Sequence, residues 1–303
     1  MSDDTRERPA KRGIVRRVLW ALGIGLGVLF LMNLFFPDLD LSMEDRVGLI
    51  RIEGVILDSQ STIGELKRFG ENPSVKAIVL RIDSPGGGVV PSQEIHDAVQ
   101  RVRNKNNKAV IASMGSVAAS GGYYIAVATD RIMANSGTLT GSIGVIMEMA
   151  NVEGLLKKIG VEGVVIKSGR FKDVGSPLRK MSDEEHELLQ SVMDDVHRQF
   201  IEAVAAGRGL DVTVVQALAD GRIFTGRQAK DSKLVDELGD LEAAIQLAAD
   251  VAGIEGVPKV IEPRRRFSFR ELIDRCLYDI PNFDNEPLPQ IRHKFWPQEA
   301  AAH

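Results

Sequence analysis

Ala77-Ile78-Val79-Leu80-Arg81-Ile82 runs directly into Asp83-Ser84-Pro85-Gly86-Gly87-Gly88. An apolar run of this length, rich in Val and Ile and stopped by Pro and Gly, reads as a strand buried on both faces. Val47–Ile52, Lys108–Met114, Arg131–Ala134 and Val161–Ile166 read the same way. Between the strands, Ile63/Leu66 and Ile95/Val99/Val102 recur at helical spacing. This alternation predicts an α/β fold whose largely parallel strands are covered by helices.

Further along, a long helix is expected from about Ser182 to Ala206. Ser182 and Glu185 form a capping box, and Leu188, Leu189, Val192, Val196, Ile201 and Val204 lie near one face. Gly207 and Gly209 should end it. Shorter helices are expected near Gly226–Ser232 and Asp240–Ala252, and a peripheral helix near Ser268–Leu277 before a loose tail rich in Arg, Pro and Asn. No fixed-period repeat is present.

The chain has 303 residues, 44% hydrophobic and 26% charged, which excludes a disordered or collagenous chain. A net charge of -4 argues against broad nucleic-acid binding. The single cysteine, Cys276, excludes an intrachain disulfide framework and a cysteine-based metal cluster.

One local feature departs from this average. Residues 18–36, VLWALGIGLGVLFLMNLFF, carry no charge and one polar side chain, Asn33. As a helix the run would span about 28 Å, close to the roughly 30 Å of a bilayer core. Arg6, Arg8, Lys11, Arg12, Arg16 and Arg17 precede it, and Asp38 and Asp40 follow. The positive-inside rule therefore leaves residues 1–17 in the cytoplasm and carries everything after Pro37 across the membrane, into the periplasm if the envelope is Gram-negative. A cleaved signal peptide fits less well, because Phe35-Phe36-Pro37 is not a small-residue cleavage site. A buried core helix would leave the flanking arginines without a purpose. Residues 37–45 then form a tether of at most about 30 Å, residues 46–260 the globular body and residues 261–303 the peripheral helix and tail. With six basic and three acidic residues in 1–17, the rest keeps 32 basic and 39 acidic side chains and is acidic.

Three glycine-rich stretches could carry chemistry. In Ser84–Gly88, unshielded backbone N–H groups suit an oxyanion-binding turn, although such a loop alone is more often only a tight turn. It lacks the Gly-Lys-Ser/Thr ending and the G-x-G-x-x-G spacing of phosphate loops. Gly115-Ser116-Val117-Ala118-Ala119-Ser120-Gly121-Gly122-Tyr123-Tyr124 follows a strand and places Ser120 at the first turn of a short apolar helix. There Ser120 is either a nucleophile or merely an N-cap. The third comprises Thr140-Gly141-Ser142-Ile143-Gly144 and, further on, Ser168-Gly169-Arg170-Phe171-Lys172-Asp173.

A nucleophilic serine needs a base. His96 lies off the apolar face of its helix and reads as solvated. His186 and His197 lie on an acidic helix, and His186 lacks the second histidine of a zinc-protease motif; His293 and His303 are in the tail. None sits in a glycine-rich setting, so a Ser-His-Asp triad is not supported. A lysine can serve only as the neutral amine, which requires its pKa to fall from about 10.4 toward roughly 7–8. Lys172 read by itself is an exposed cation.

The four segments Ser84–Gly88, Ser116–Tyr124, Thr140–Val145 and Ser168–Asp173 closely resemble the signal peptide peptidase family of membrane-anchored Ser–Lys proteases, in its single-length form. The likeness runs from about Val47 to Ala252 and continues through Gly221–Ala229. Before Leu234-Val235-Asp236 this chain has Ser232-Lys233 where the family usually has a glycine. The resemblance implies a Clp/crotonase-like fold of stacked β-β-α turns, with Ser120 as nucleophile, Lys172 as general base and Ser142 orienting the lysine amine. It makes the N–H groups of Gly87 and Gly121 the oxyanion hole. It further implies no metal and no cofactor, a ring-shaped homo-oligomer, and cleaved signal peptides left in the membrane as substrates, with apolar side chains of small to moderate size preferred. A crotonase-like acyl-CoA enzyme and a catalytically silent membrane scaffold are the alternatives. Export away from cytosolic CoA and the Ser120/Lys172 pairing argue against the first.

Overall fold

β2 (Val75–Ser84) lies inside the sheet, flanked by β1 (Arg46–Glu53) and β3 (Ala109–Ala119), both parallel to it. The computed structural model describes residues 19–21, 23–25, 27 and 44–263. β2 is central because successive side chains point to opposite faces and both faces are covered. On one face Ile78, Leu80 and Ile82 pack with Leu66 and Phe69 of α1 (Gln60–Glu71) and with Ile95 and Val99 of α2 (Val89–Asn106). On the other, Ala77 and Val79 pack with Ala244, Ala248 and Ala249 of a C-terminal helix, Leu241–Ala252. Each large aliphatic side chain so buried contributes about 1.5–3 kcal/mol.

β3 changes partner along its length. Its first half pairs with β4 (Arg131–Ala134) and its second with β5 (Leu139–Gly141), both parallel. Next in the chain come α3 (Gly121–Ala126), α4 (Glu153–Lys158), α5 (Asp183–Arg208), α6 (Val212–Leu218), β6 (Ile223–Thr225), α7 (Gly226–Asp231) and β7 (Glu237–Leu238). The helix Leu241–Ala252 is α8, and β8 (Lys259–Ile261) pairs parallel with β1. β7 extends β4 in parallel, whereas β6 runs antiparallel to β5. The expected mixed α/β architecture with a largely parallel sheet is present.

Three expectations need correction. Val161–Ile166 forms no strand: Val164 is 83% exposed and Ile166 97% exposed, and among the described residues no strand pairs with this run. α5 starts at the Ser182–Glu185 capping box as expected, but it passes Gly207 and stops at Gly209, which takes φ 61°. Gly207 is required by packing, since a Cβ there would lie 2.2 Å from the Val127 carbonyl oxygen. The apolar stripe of α5 is also only partly core: Phe200, Ile201, Val204 and Ala205 are buried, while Leu188 and Val192 are exposed.

After α7 the chain turns at Lys233, whose φ of 60° is left-handed. The position where the resemblance leads one to expect glycine thus keeps a glycine-like backbone. The segment is fixed by the bidentate pair between Arg208 and Asp236. Asp236 also accepts the Ile132 N–H at 2.7 Å, and the buried Tyr123 hydroxyl donates to the Leu234 carbonyl at 2.8 Å.

No helix among the described residues is long and apolar enough to cross a membrane. The expected span 18–36 falls mostly outside them, as do residues 1–17, most of the tether and the peripheral helix at 268–277.

Candidate active site

Loops following β2, β3 and β5 meet at one end of the parallel strands, where open α/β sheets commonly place their sites. The meeting point is set by a bulge. Ile82 pairs with Met114 but Ser84 pairs with Ala118, so Gly115, Ser116 and Val117 oppose Asp83 alone. The Asp83 carboxylate accepts the Val117 N–H at 3.0 Å, and Gly115 lies against the Asp83 side chain without room for a Cβ. Such a bulge bends its strand. Here it swings the end of β3 from β4 toward β5 and brings Ser120 to the sheet end.

Ser120 occupies the strand-to-helix junction with φ 51° and ψ -121°. A non-glycine residue there costs of order 1–3 kcal/mol and persists only where its surroundings impose it. Its N–H donates to the Gly141 carbonyl at 2.9 Å, and its carbonyl accepts the Tyr124 N–H at 2.8 Å. The side chain does not cap α3. Ser120 thus stands at the N-cap position of α3 without using its hydroxyl to cap it, and among the described residues that hydroxyl has no hydrogen-bond partner.

The Ser84–Gly88 loop packs directly on this junction. The Ser84 hydroxyl accepts the Gly86 N–H at 3.1 Å and tightens the turn. Gly86 takes φ 101°, and a Cβ on it would meet the Gly121 nitrogen at 2.7 Å. Only glycine tolerates both conditions. Gly87 is held beside Ile56: the Ile56 N–H donates to the Gly86 carbonyl, and the Gly88 N–H donates back to Ile56. In that pattern the Gly87 N–H stays outside the pairing. Among the described residues neither it nor the Gly121 N–H has an acceptor. The two groups are neighbours, because the Gly87 nitrogen is 3.4 Å from where a Cβ on Gly121 would stand.

Ser120, Gly87, Gly121 and Ser142 line one cavity of about 610 Å³. Ser142, the residue after β5, is held by its N–H bond to the Arg222 carbonyl at 2.9 Å and takes a left-handed φ of 50°. The opposite wall was not legible in the sequence. It comes from Tyr124 of α3 and from Met193, Val196 and Phe200 of α5. Tyr124 and Phe200 meet edge to face with ring centroids 5.1 Å apart, and burial raises the Tyr124 pKa. The outward stripe on α5 was the only available sign of this wall.

Two histidines need restatement. His96 is buried rather than solvated, 8% exposed, with its ring 4.9 Å from Tyr124 and Nδ1 3.1 Å from Asp97. The buried stripe of α2 is wider than its aliphatic residues indicate. His197 lines the cavity, and its Nε2 is buried without a hydrogen-bond partner among the described residues. No hydrogen bond joins it to Ser120.

Lys172 lies elsewhere. It is exposed, in a loop between α4 and α5, and is not among the residues lining the cavity. Ser120, Ser142, Gly87 and Gly121 are therefore brought together within one chain, and Lys172 is not brought to them.

Comparison with known proteins identifies the family. Residues 102–255 match Peptidase family S49 and residues 52–148 match Clp protease. A protein of Synechocystis sp. whose name describes it as a protease is 46% identical over 215 residues, covering 71% of this chain and 77% of its own. A protein of Enterococcus faecium named as a signal peptide peptidase, SppA, is 41% identical over 66% of this chain and 62% of its own length. Protease 4 of Haemophilus influenzae is 34% identical over 68% of this chain but only 35% of its own length. The α/β sheet is consistent with a Clp-protease-like domain, and the chain belongs to peptidase family S49, the serine peptidases that its site geometry suits.

Proposed function

We propose that this serine peptidase is a membrane-anchored endopeptidase with a Ser120–Lys172 dyad, acting on signal peptides left at the membrane after export. The observation that carries the reading is the Ser120 junction: a strained serine with an uncommitted hydroxyl beside two N–H groups without acceptors. In the proposed reaction the Lys172 amine takes the Ser120 proton as Oγ attacks the scissile carbonyl carbon. The oxyanion accepts hydrogen bonds from Gly87 and Gly121. Collapse expels the amine product, which takes the proton from Lys172 and leaves an acyl-enzyme. Water then gives a proton to Lys172 and attacks the ester, and Ser120 regains its hydrogen as the acid leaves. Ser142, on the same cavity wall, is suited to orient the incoming amine.

In this reading the dyad forms between two copies of the chain. Lys172 is exposed and does not line the Ser120 cavity, and among the apolar side chains Ile146 is 85% and Ile166 97% exposed. Large apolar side chains left this exposed suit a surface that another molecule covers. A homo-oligomeric ring in which Lys172 of one protomer reaches Ser120 of the next satisfies both facts, and the covering surface would supply the desolvation that favours a neutral amine.

The apolar wall of Tyr124, Met193, Val196 and Phe200 supports apolar peptide substrates. Full-length protein in detergent is expected to cleave a synthetic signal peptide well and the same peptide with acidic residues in its apolar stretch poorly. Equal cleavage of both would remove the substrate assignment. The anchor is tested separately: an alkaline phosphatase fusion after Asp45 should be active and one before Val18 inactive. The reverse pattern would place the catalytic body on the cytoplasmic side.

A further inference from the structure

The loop carrying Lys172 holds a chain of charges that the reaction above does not use. Asp173, the next residue, accepts from Lys167 Nζ at 2.5 Å on one carboxylate oxygen and from Arg179 Nε at 2.9 Å on the other. Arg179 continues to Glu185, donating from Nη1 to Oε2 at 2.8 Å and from Nη2 to Oε1. The Glu185 side chain is only 5% exposed and also accepts the Ser182 N–H at 3.0 Å, within the cap of α5. Of the other charged residues on this stretch, Arg170 pairs with Glu184, the Lys180 N–H donates to Glu153 at 2.9 Å, and Asp183 lies in the first turn of α5. Lys172 itself makes no ion pair or side-chain hydrogen bond among the described residues.

This arrangement is chemically selective. Asp173 is the carboxylate nearest in sequence to Lys172, and the lysine amine sits on a flexible four-carbon stem. Left free, Asp173 would be an ion-pair partner for that amine and would favour its charged form. Both its oxygens are instead taken by other cations. The Arg179 guanidinium first, then Lys167, holds the Asp173 carboxyl far below the usual carboxylate range. Arg179 holds Glu185 down to about 2 in the same way. Arginine suits the task because its planar fork can bond two carboxylates at once and never loses its charge.

We propose that Arg179 is a positioning residue which, with Lys167, withholds the Asp173 carboxylate from Lys172 and so leaves the lysine amine free to act as base. The inference rests on the reading of Lys172 as the general base.

The test is the pH dependence of kcat/KM, which reports the free enzyme's base, measured on the full-length protein in detergent. Arg179→Met frees one oxygen of Asp173, and the midpoint of the acid limb should move up by about one pH unit. Adding Asp173→Asn to that variant should return the midpoint to the wild-type position, although the link to Glu185 stays broken. A purely structural role for Arg179 would show no such return. Should Arg179→Met fail to fold, Lys167→Met carries the same test with the Arg179–Glu185 pair intact, with the same direction of shift and the same reversal. An unmoved midpoint, or a shift that Asp173→Asn does not reverse, overturns the proposal. Lys172→Arg separates the two ideas: if it stays inactive while Arg179→Met moves nothing, only the role of Arg179 fails, and if it stays active the base assignment itself fails.

Discussion

Ser120→Ala is expected to lower kcat/KM for peptide hydrolysis by at least about 10⁴-fold, the scale on which serine proteases lose activity when the nucleophile is removed. The fold should not suffer. The Ser120 side chain makes no capping bond, the backbone bonds to Gly141 and Tyr124 do not involve the hydroxyl, and alanine meets the same φ of 51° that serine does. Unfolding temperature should therefore stay near the wild-type value while labelling by a serine-reactive fluorophosphonate disappears. A variant that still turns over at more than about a hundredth of the wild-type rate would assign nucleophilic attack to another group, and persistent labelling would identify it.

Lys172→Arg should be as inactive as Lys172→Ala. Arginine keeps the charge and much of the length, but its guanidinium does not deprotonate in the working range, so the base is lost in both variants. General-base catalysis supplies about 10²–10⁴-fold, and each variant should lose that much. Because the role needs the neutral amine, wild-type activity should rise with pH, whereas the residual activity of the variants should lack that limb. Retention of more than about a tenth of wild-type activity in Lys172→Arg would exclude the role.

These two residues differ in how they could be seen. Ser120 stood out because a glycine-rich turn after an apolar strand has few physical uses, and the structure adds a φ of 51° and a hydroxyl that makes no capping bond. β1 to β4 were legible because strands buried on both faces read as unbroken apolar runs. The same logic misassigned Val161–Ile166. Periodicity reports that apolar side chains want cover, not what covers them, and here no strand among the described residues does. The short strands β5 to β8, two or three residues each, carry too little pattern to stand out. The bulge at Gly115–Val117 was illegible for another reason: it exists only in the register between β2 and β3. The cavity wall of Tyr124 and Phe200 joins residues 76 positions apart, and only the packing of α5 over α3 brings them together. Lys172 is the extreme case. It is exposed and makes no ion pair or side-chain hydrogen bond among the described residues, so only the resemblance to the family singles it out.

Mixing the two inactive variants tests the central claim most directly. Ser120→Ala and Lys172→Ala proteins, combined under conditions in which subunits exchange, should recover part of the wild-type peptidase activity. In such a mixture some interfaces pair an intact Ser120 with an intact Lys172 from the neighbouring protomer. A mixture that stays inactive, with exchange shown by fluorescence transfer between labelled subunits, would contradict a dyad shared between protomers.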